Sequence, residues 1–392
     1  MRRRRFRRAA VVLAAILGLL SLTWFGIRHT SWLGPFLADT GRSVFGPAAV
    51  ARIEETVYAV EERWNRAWHG NDPPRTHWTP PADPSTAPPP VASSATASVA
   101  AFPPGPVGPM HPRFGPAGDG AWTALPDARS SASAPAMFKT QIHPDAGRPF
   151  AVVAVVAIDL SRVEVHLEPG VYVPEATEPE ARGMVRSGLI PAEHQNTAMA
   201  AFNGGFKTEH GRLGMHVRGV TIVSARSWGC TVARTRDGRI LLDTWSELEG
   251  DPSERVWWRQ TPQCLVRNRE FGDGVLIDEN KNWGTSIRGG TFIRRSAIGL
   301  DRFGGVLFMG IGDPVSAGGI ARAMRHAGAV TVGQLDVNWS LPKFLLFVPS
   351  RPGSDTFEAR PLFPGLIYFK GEYLRDPSSR DFFYLTPKRS GE

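Results

Sequence analysis

Residues 200–214 read AAFNGGFKTEHGRLG, and this stretch places the candidate site on the fold. The apolar residues 197–202 predict a short buried strand. Asn203, Gly204 and Gly205 end that strand, because adjacent glycines allow positive φ angles and leave room for a ligand beside the backbone. We therefore expect the chain to turn sharply at this strand end.

Three polar side chains follow the turn, namely Lys207, Glu209 and His210. A strand-end loop that carries a cation, a carboxylate and an imidazole is a common position for a binding or catalytic site. The same pattern also fits a β-hairpin turn with solvated charges, since Asn-Gly-Gly is a frequent turn sequence. The local pattern leaves both interpretations open.

The N-terminus predicts a membrane anchor. Six arginines lie within the first eight residues, and residues 9–27 carry no charge. That segment is long enough to span a bilayer, and no small-residue cleavage pattern follows it, so we expect an uncleaved signal anchor within residues 1–30. The positive-inside rule then places the rest of the chain outside the cytoplasm. Without these arginines the formal net charge of +8 falls to about +2, so the high pI does not indicate nucleic-acid binding.

Two segments separate this anchor from the globular part. Residues 31–70 contain a predicted amphipathic helix over residues 47–68, whose apolar positions alternate at spacings of three and four: Val50, Ile53, Val57, Val60, Trp64 and Ala67. Its apolar stripe fits packing on the membrane surface, on a partner, on a second copy or on its own domain. Residues 71–136 are rich in Pro, Ala, Ser and Gly, which predicts an extended spacer.

Residues 137–392 are expected to form one globular domain. The continuous apolar run at residues 150–158 predicts a strand covered on both faces, and the alternation over residues 163–167 predicts a half-exposed strand. Further strands are predicted within residues 218–224 and 239–242. We expect an α+β (mixed α/β) fold, with a central mixed sheet and a C-terminal βαβ unit, preceded by a transmembrane anchor and a Pro-rich linker.

Cys230 and Cys264 are the only cysteines. An even pair outside the cytoplasm can form a disulfide, and we predict that the two are bonded, with buried free thiols as the alternative. Neither the Cys and His spacing nor the glycine pattern fits a metal site or a complete dinucleotide loop. No metal or cofactor is therefore expected.

A strand–helix–strand pattern lies near the C-terminus. Residues 305–311 and 329–335 read as buried strands, and residues 317–327 between them read as a helix, so this βαβ unit predicts parallel strands. Asp313 and Asp336 lie just past the strands' carboxyl ends, where ligands bind in open α/β sheets. Asp313 also fits the N-cap of the helix, whereas Asp336 has no helix to cap.

Three motifs carry a family resemblance: Asn203-Gly204-Gly205-Phe206, Arg295-Ser296-Ala297-Ile298-Gly299 and Leu335-Asp336. Over residues 138–368 the chain resembles the phosphodiester glycosidase domain family, which includes N-acetylglucosamine-1-phosphodiester alpha-N-acetylglucosaminidases. It is similar to a bacterial membrane-anchored branch through His210-Gly211, Arg259-Gln260, Trp283-Gly284-Thr285 and Asn338. The family commonly continues from the Asp into a glycine run, whereas this chain has Val337-Asn338-Trp339-Ser340.

The resemblance implies cleavage of a sugar–phosphate bond within a phosphodiester. A phosphate monoester is a good leaving group that needs a cation more than an acid, and arginine suits it best. Arg295 would hold the phosphate, Asp336 would be the nucleophile or base, and Asn203 would position the sugar. The further expected substrate contacts are Gly204, Gly205, Lys207, His210, Gln260, Trp283, Asp313 and Asn338. The alternative for Arg295 is a surface arginine beside Arg294.

We therefore expect a membrane-anchored, extracytoplasmic hydrolase of a glycosyl phosphodiester in envelope or exopolysaccharide material. The expected partners are a glycan or sugar-phosphate substrate and the membrane, without nucleic acid, and self-association through residues 47–68 is a further expectation. A catalytically inactive glycan-binding or envelope assembly module on the same fold is the alternative. A structural envelope protein that acts through the helix is the third hypothesis.

Overall fold

A computed structural model of the chain describes residues 46–79, 102–125, 127, 134–276, 283 and 292–388, with scattered residues between 15 and 44. The chain forms two compact units, Met1–Thr56 and Val57–Glu392. Most of the predicted anchor at residues 9–27 lies outside the described residues. None of the helices in the described part is both long and apolar enough to cross a bilayer.

The described residues of the second unit are mostly β, and they form three sheets in which the neighbouring strands pair in the antiparallel direction. The eight strands of sheet A are, in spatial order, β1 (Thr123–Leu125), β2 (Met137–Ile142), β3 (Val152–Asp159), β14 (Val306–Val315), β13 (Ile293–Leu300), β15 (Thr331–Val337), β11 (Val266–Arg267) and β12 (Glu270–Phe271). Sheet B contains β17 (Phe357–Pro361), β16 (Phe344–Pro349), β5 (Ala200–Asn203), β18 (Phe382–Pro387) and β4 (Val163–Glu168). Sheet C contains β7 (Val220–Val223), β6 (Met215–Val217), β10 (Arg255–Thr261), β8 (Cys230–Thr235) and β9 (Ile240–Thr244).

Few helices accompany these sheets in the described residues. They are α1 (Pro47–His69), which covers the predicted helix at residues 47–68, the single turn α2 (Ala192–Gln195), and α3 (Ala317–His326). Helix α3 packs on one face of sheet A through Ile320 and Met324, beside Trp122 and Phe308. The opposite face of sheet A shares a second core with strands of sheets B and C.

Several strand predictions are confirmed. All eight residues of β3 are buried, as the continuous apolar run at residues 150–158 predicts. Strand β4 shows the predicted alternation at Val163 and Val165. Strands β8 and β9 pair around the turn at Asp237-Gly238, where Gly238 has a φ of 83° that a glycine adopts without strain.

The strand–helix–strand unit forms, but its two strands are not neighbours. Strand β13 lies between β14 and β15 and pairs with both in the antiparallel direction, so β14 and β15 run parallel to each other. The predicted direction is therefore confirmed, and the central mixed sheet is corrected to an antiparallel one. Ser316 caps α3, because its Oγ accepts a hydrogen bond from Gly319 N at 3.1 Å, so the N-cap interpretation of Asp313 is wrong.

The predicted disulfide is present between Cys230 and Cys264, whose Cα atoms lie 4.9 Å apart. It links β8 of sheet C to the segment that leads into β11 of sheet A. The bond therefore ties two sheets together across the shared core.

Part of the predicted spacer is folded as part of the second unit. Strand β1 pairs with β2, and Phe114 and Trp122 are buried. Nearer the helix, His77 stacks on Phe363 with ring centroids 3.7 Å apart. The spacer prediction for residues 71–136 does not fit these described parts, because a few aromatic side chains supply the apolar surface that the average composition lacks.

Candidate functional site

Asn203 and Asp336 meet at the ends of β5 and β15, as predicted. Asn203 Nδ2 donates a hydrogen bond to Ser296 Oγ at 2.8 Å, and Ser296 Oγ donates to the backbone oxygen of Asp336 at 2.8 Å. The backbone N–H of Asp336 donates to Gly204 O at 3.1 Å. One hydroxyl and one backbone bond thus join the two strand ends that the sequence singles out.

Asn203 acts within this framework through groups that already have protein partners. Its Nδ2 also donates to Gly204 O at 3.1 Å, and its Oδ1 accepts from Lys343 N at 3.0 Å. Both donor hydrogens and the carbonyl oxygen of the side chain are engaged. Asn203 therefore positions Ser296 and the backbone of Asp336, and the expected direct contact with a sugar hydroxyl does not fit this geometry.

Arg295 does not join the other two predicted catalytic residues. Successive side chains in a strand point to opposite faces, and since Ser296 faces Asn203, Arg295 faces the other side of sheet A. There it donates to Val315 O at 3.1 Å, Trp283 O at 2.8 Å and Gln334 Oε1 at 3.0 Å. Arg295 is fully buried, so it is not a surface arginine, and it lies on the face of sheet A away from Asn203 and Ser296.

Two other arginines lie beside the carboxylates of the site. Arg380 forms an ion pair with Asp336 and donates to Gly205 O at 3.2 Å. Arg259 Nε donates to Asp381 Oδ2 at 2.8 Å, and both of these side chains are fully buried. The site thus contains two adjacent arginine–aspartate pairs, supplied by strands β10 and β15 and by the residues that precede β18.

The electrostatics of the site make Asp336 a weak acid for an aspartate. Burial raises the pKa of Asp336 to about 6, the charge of Asp381 acts in the same direction, and Arg380 opposes both. The N–H of Val337 donates to Asp336 Oδ1 at 3.2 Å and favours the ionised form. A carboxylate that titrates this close to neutral pH is suited to proton transfer or nucleophilic attack.

Gly204 and Gly205 are needed for close packing, and the predicted positive φ is not found at either. Both N–H groups contact Asp381, with Gly204 N donating to Asp381 O at 2.9 Å and Gly205 N to Asp381 Oδ2 at 2.9 Å. The turn is no β-hairpin, because β5 pairs with β16 and β18 and not with β6. Gly204 leaves room for Asp381 and Gly205 leaves room for the guanidinium of Arg259, where the sequence predicts room for a ligand.

Gly204→Ala is expected to destabilise the fold and to lower any activity of the site. A Cβ at this position would lie 2.1 Å from Asp381 Oδ2 and 2.5 Å from Asp381 O, so the backbone must shift, at a cost of about 1–3 kcal/mol. Urea unfolding measures this cost. Gly183→Ala is the matched control, since a Cβ there meets nothing within 4 Å, and an equal loss in both variants would contradict the prediction.

A further ion pair lies next to Asn203. Lys343 Nζ lies 2.6 Å from Glu372 Oε1, and the backbone N–H of Lys343 holds Asn203. The residue after Glu372 is Tyr373, whose pKa is raised well above its ordinary value by burial, with the charges of Glu372 and Asp381 adding to the effect. Tyr373 therefore stays neutral and can donate a hydrogen bond at physiological pH.

The other predicted substrate contacts are scattered. Lys207 and His210 are partly exposed, and the side-chain nitrogen of each lies 3.5 Å from Glu209 Oε1. This loop therefore carries solvated charges, as expected for the second of the two interpretations of the sequence. Gln260 is fully engaged, because its amide bonds Gly214 N, Arg226 N, Arg226 O and Thr231 Oγ1. Gln260 therefore holds together the segments around Gly214, Arg226 and Thr231. All of its side-chain hydrogen-bonding groups are used in doing so, which does not fit a role in substrate binding.

Trp283, Asp313 and Asn338 also have structural partners. Trp283 is buried and donates from Nε1 to Gln263 O at 2.7 Å. Asp313 pairs with Arg294 Nη2 at 2.9 Å, and Arg294 Nη1 reaches Trp339 O at 2.7 Å. The backbone N–H of Asn338 donates to Arg294 O at 3.1 Å. Arg294, which the sequence offers only as a neighbour of Arg295, thus organises the strand ends next to Asp336.

Arg380, Asp381, Lys343 and Glu372 were not predicted. Glu372, Arg380 and Asp381 lie at least 36 residues beyond Asp336 in sequence, whereas Lys343 follows Asp336 by seven residues. The local signal for Arg380 and Asp381 is an Arg-Asp pair before the apolar run of β18. In the described part of the chain, no group of three or more His, Cys, Asp and Glu side chains could hold a metal ion. The site is therefore best described by its ion pairs and its raised carboxylate pKa.

No protein-family model matches the chain, and comparison with curated proteins gives no match. Among solved structures, the chain is similar to a hypothetical protein from Synechocystis, with 13% identity and a TM-score of 0.35, over 64% of this chain and 62% of that chain. It is also similar to a "Putative exported protein" from Burkholderia pseudomallei, with 11% identity and a TM-score of 0.30, over 60% of this chain and 74% of that chain. The alignment thus spans less than two thirds of the Synechocystis chain, and similarity at this level carries no argument about function.

Proposed function

We propose that this protein hydrolyses a glycosyl phosphodiester, with Asp336 and Arg380 as the reacting pair. The observation that supports it is a buried carboxylate with a pKa of about 6 held against an arginine at a strand end. The resemblance of the motifs around Asn203 and Asp336 to the phosphodiester glycosidase domain family points to the same chemistry. The correction concerns the cation, since Arg380 takes the role first expected of Arg295.

The reaction breaks the bond between the anomeric carbon and the phosphate oxygen. Asp336 can act in either of two ways that balance: it attacks the anomeric carbon, the phosphate monoester leaves with the bonding electron pair, and water then hydrolyses the glycosyl ester formed on Asp336. Alternatively, Asp336 removes a proton from a water that attacks the anomeric carbon directly while the phosphate monoester leaves with the bonding electron pair. A free sugar and a phosphate monoester are the products. The leaving group is stable as an anion, so a cation matters more here than the strong general acid of ordinary glycosidases.

Arg380 can serve as that cation. Its Nη2 contacts Asp336 and Gly205 O, whereas its Nε is buried and has no hydrogen-bond partner among the described residues. A phosphate oxygen can accept from this donor, and charge-assisted bonds of this kind are stronger than neutral ones. When the phosphate takes Arg380 as its partner, the Asp336 carboxylate is released to act.

A second hypothesis is a catalytically inactive glycan-binding or envelope assembly module. One observation favours it, namely that the Asp336 side chain is almost fully buried and already paired with Arg380.

Under both hypotheses we propose the same location, with the folded domain outside the cytoplasm and the anchor at residues 9–27 in the membrane. The argument for that location is the arginine-flanked apolar segment together with the disulfide.

A screen of the full-length protein against sugar-1-phosphodiesters, read by released sugar, tests the proposal. We expect kcat/KM to rise with pH through about 6, because the reaction needs ionised Asp336 and kcat/KM reports the pKa of the free enzyme. A rate that instead falls as pH rises through this range would contradict the role of Asp336. Glycan binding without sugar release from any phosphodiester would favour the inactive module.

A further inference from the structure

Helix α1 presents most of its apolar stripe to solvent, whereas Val50 near its start is buried. Among its residues, Ile53, Val57, Val60, Trp64 and Trp68 are between 36% and 65% exposed. Trp64 and Trp68 stack on each other, with ring centroids 5.4 Å apart. Two neighbouring exposed tryptophans on a helix form an apolar patch of the kind that marks an interaction site.

An ion pair on the polar face of α1 attaches the second half of the helix to the folded domain. Glu62 accepts from Arg148 Nη2 and from Arg66 Nε, the latter at 2.7 Å. Arg148 is almost fully buried, and its guanidinium lies 3.6 Å from the ring centroid of Phe292. In the described part of Val57–Glu392, the ion pair between Glu62 and Arg148 holds α1 with its apolar stripe turned towards solvent. In this part of the helix the stripe therefore does not pack on the chain's own domain.

The spacing of the stripe is that of a coiled coil. Three- and four-residue steps alternate without interruption, so Val50, Val57 and Trp64 occupy heptad positions a, and Ile53, Val60 and Ala67 occupy positions d. A strict 3.5-residue period is the pattern by which two helices keep their apolar seams in contact. A helix lying on a lipid surface needs only a broad apolar face with a 3.6-residue period.

We propose that a second copy of this chain covers the stripe, through a parallel, in-register pair of α1 helices. In that register Arg63 at position g faces Trp68 at position e of the other copy, a favourable cation–π arrangement. The helix has four glutamates and three arginines, and this acidic balance disfavours a surface of anionic lipid. Both copies would also enter the same membrane from their N-terminal anchors, which requires parallel helices.

The expected interface is small. Each half-exposed tryptophan offers on the order of 150 Å², so the four tryptophans of a pair supply roughly 600 Å², about half of what a stable interface buries. Together with the aliphatic positions, this predicts reversible association. Tethering both copies to one membrane raises their effective concentration and favours the dimer.

Cysteine cross-linking of the full-length protein in membranes tests the proposal. The two native cysteines are bonded to each other, so a single introduced cysteine is the only free thiol. Val60→Cys and Ala67→Cys should each give a disulfide-linked dimer under mild oxidation, because equivalent d positions of a parallel pair lie within disulfide reach. Ala59→Cys, an exposed neighbour on the other side of the helix, is the matched control and should stay monomeric.

The proposal of a parallel pair of α1 helices would be overturned by any of the following cross-linking results. Cross-linking at Val60→Cys without cross-linking at Ala67→Cys would mean antiparallel helices, and equal cross-linking of the control would mean random collision. No cross-link at either d position, with protection of both thiols from a water-soluble maleimide, would assign the stripe to lipid or to residues 9–27. As a second measurement, the double variant Val60→Asp/Trp64→Asp should weaken dimerisation in detergent at least about 100-fold, whereas Ala59→Asp should not; an equal effect of both would count against the seam.

Discussion

Asp336→Asn is expected to abolish turnover of the phosphodiester substrate while leaving ligand binding largely intact. Asparagine keeps the shape of the side chain but can neither attack the anomeric carbon nor take a proton from water. Loss of a nucleophile or its base lowers kcat by about 10³-fold or more. Initial rates measure the loss, and calorimetric titration with the intact substrate measures the binding that remains.

The matched control for this variant is Asp237→Asn. Asp237 is also paired with an arginine, with Arg239 Nε 2.7 Å from its Oδ2, but it lies in the exposed turn between β8 and β9. This control should keep full activity, since it removes only a solvent-screened ion pair at the surface. Full activity of Asp336→Asn on the true substrate would remove Asp336 from the mechanism and with it the proposed reaction.

The sequence predicts the buried strands of this fold better than their neighbours. The apolar run of β3, the alternation in β4 and the strand–helix–strand around α3 are local patterns, so they can be read directly. The insertion of β13 between β14 and β15 is a long-range choice that no local pattern encodes. For the same reason the aromatic residues Phe114 and Trp122 were assigned to a spacer, although they complete the core beside β2.

The candidate site shows the same division. Asn203 and Asp336 could be found because each ends a strand and carries a polar side chain at that position. Arg295 was misplaced because the quoted motif does not reveal the face of β13 on which its side chain lies, and alternation turns it away from Ser296. Arg380 and Asp381 enter only because β18 pairs with β5, a contact between segments about 180 residues apart that the sequence does not show.

The buried pair of Arg259 and Asp381 gives the largest expected effect on stability. Arg259 donates to Asp381 and also to Phe206 O at 2.7 Å and Leu213 O at 3.1 Å. Asp381 in turn accepts from Gly205 N at 2.9 Å. Arg259→Met leaves a buried carboxylate without its cation and leaves those carbonyl groups without their donor, so we expect a loss of about 3–5 kcal/mol in the free energy of unfolding.

Arg267→Met is the control, because Arg267 pairs with Asp243 at 2.6 Å and with Glu247 at 3.3 Å at a partly exposed position, and its loss should cost at most about 1 kcal/mol. Urea unfolding of both variants measures the difference. The double variant Arg259→Met/Asp381→Leu should regain part of the stability, because it removes both charges from the core. Equal losses for Arg259→Met and Arg267→Met would contradict the buried pair.

Asp381→Asn supplies a second readout, since removing this charge lowers the pKa of Asp336 and should shift the pH–rate profile towards acid.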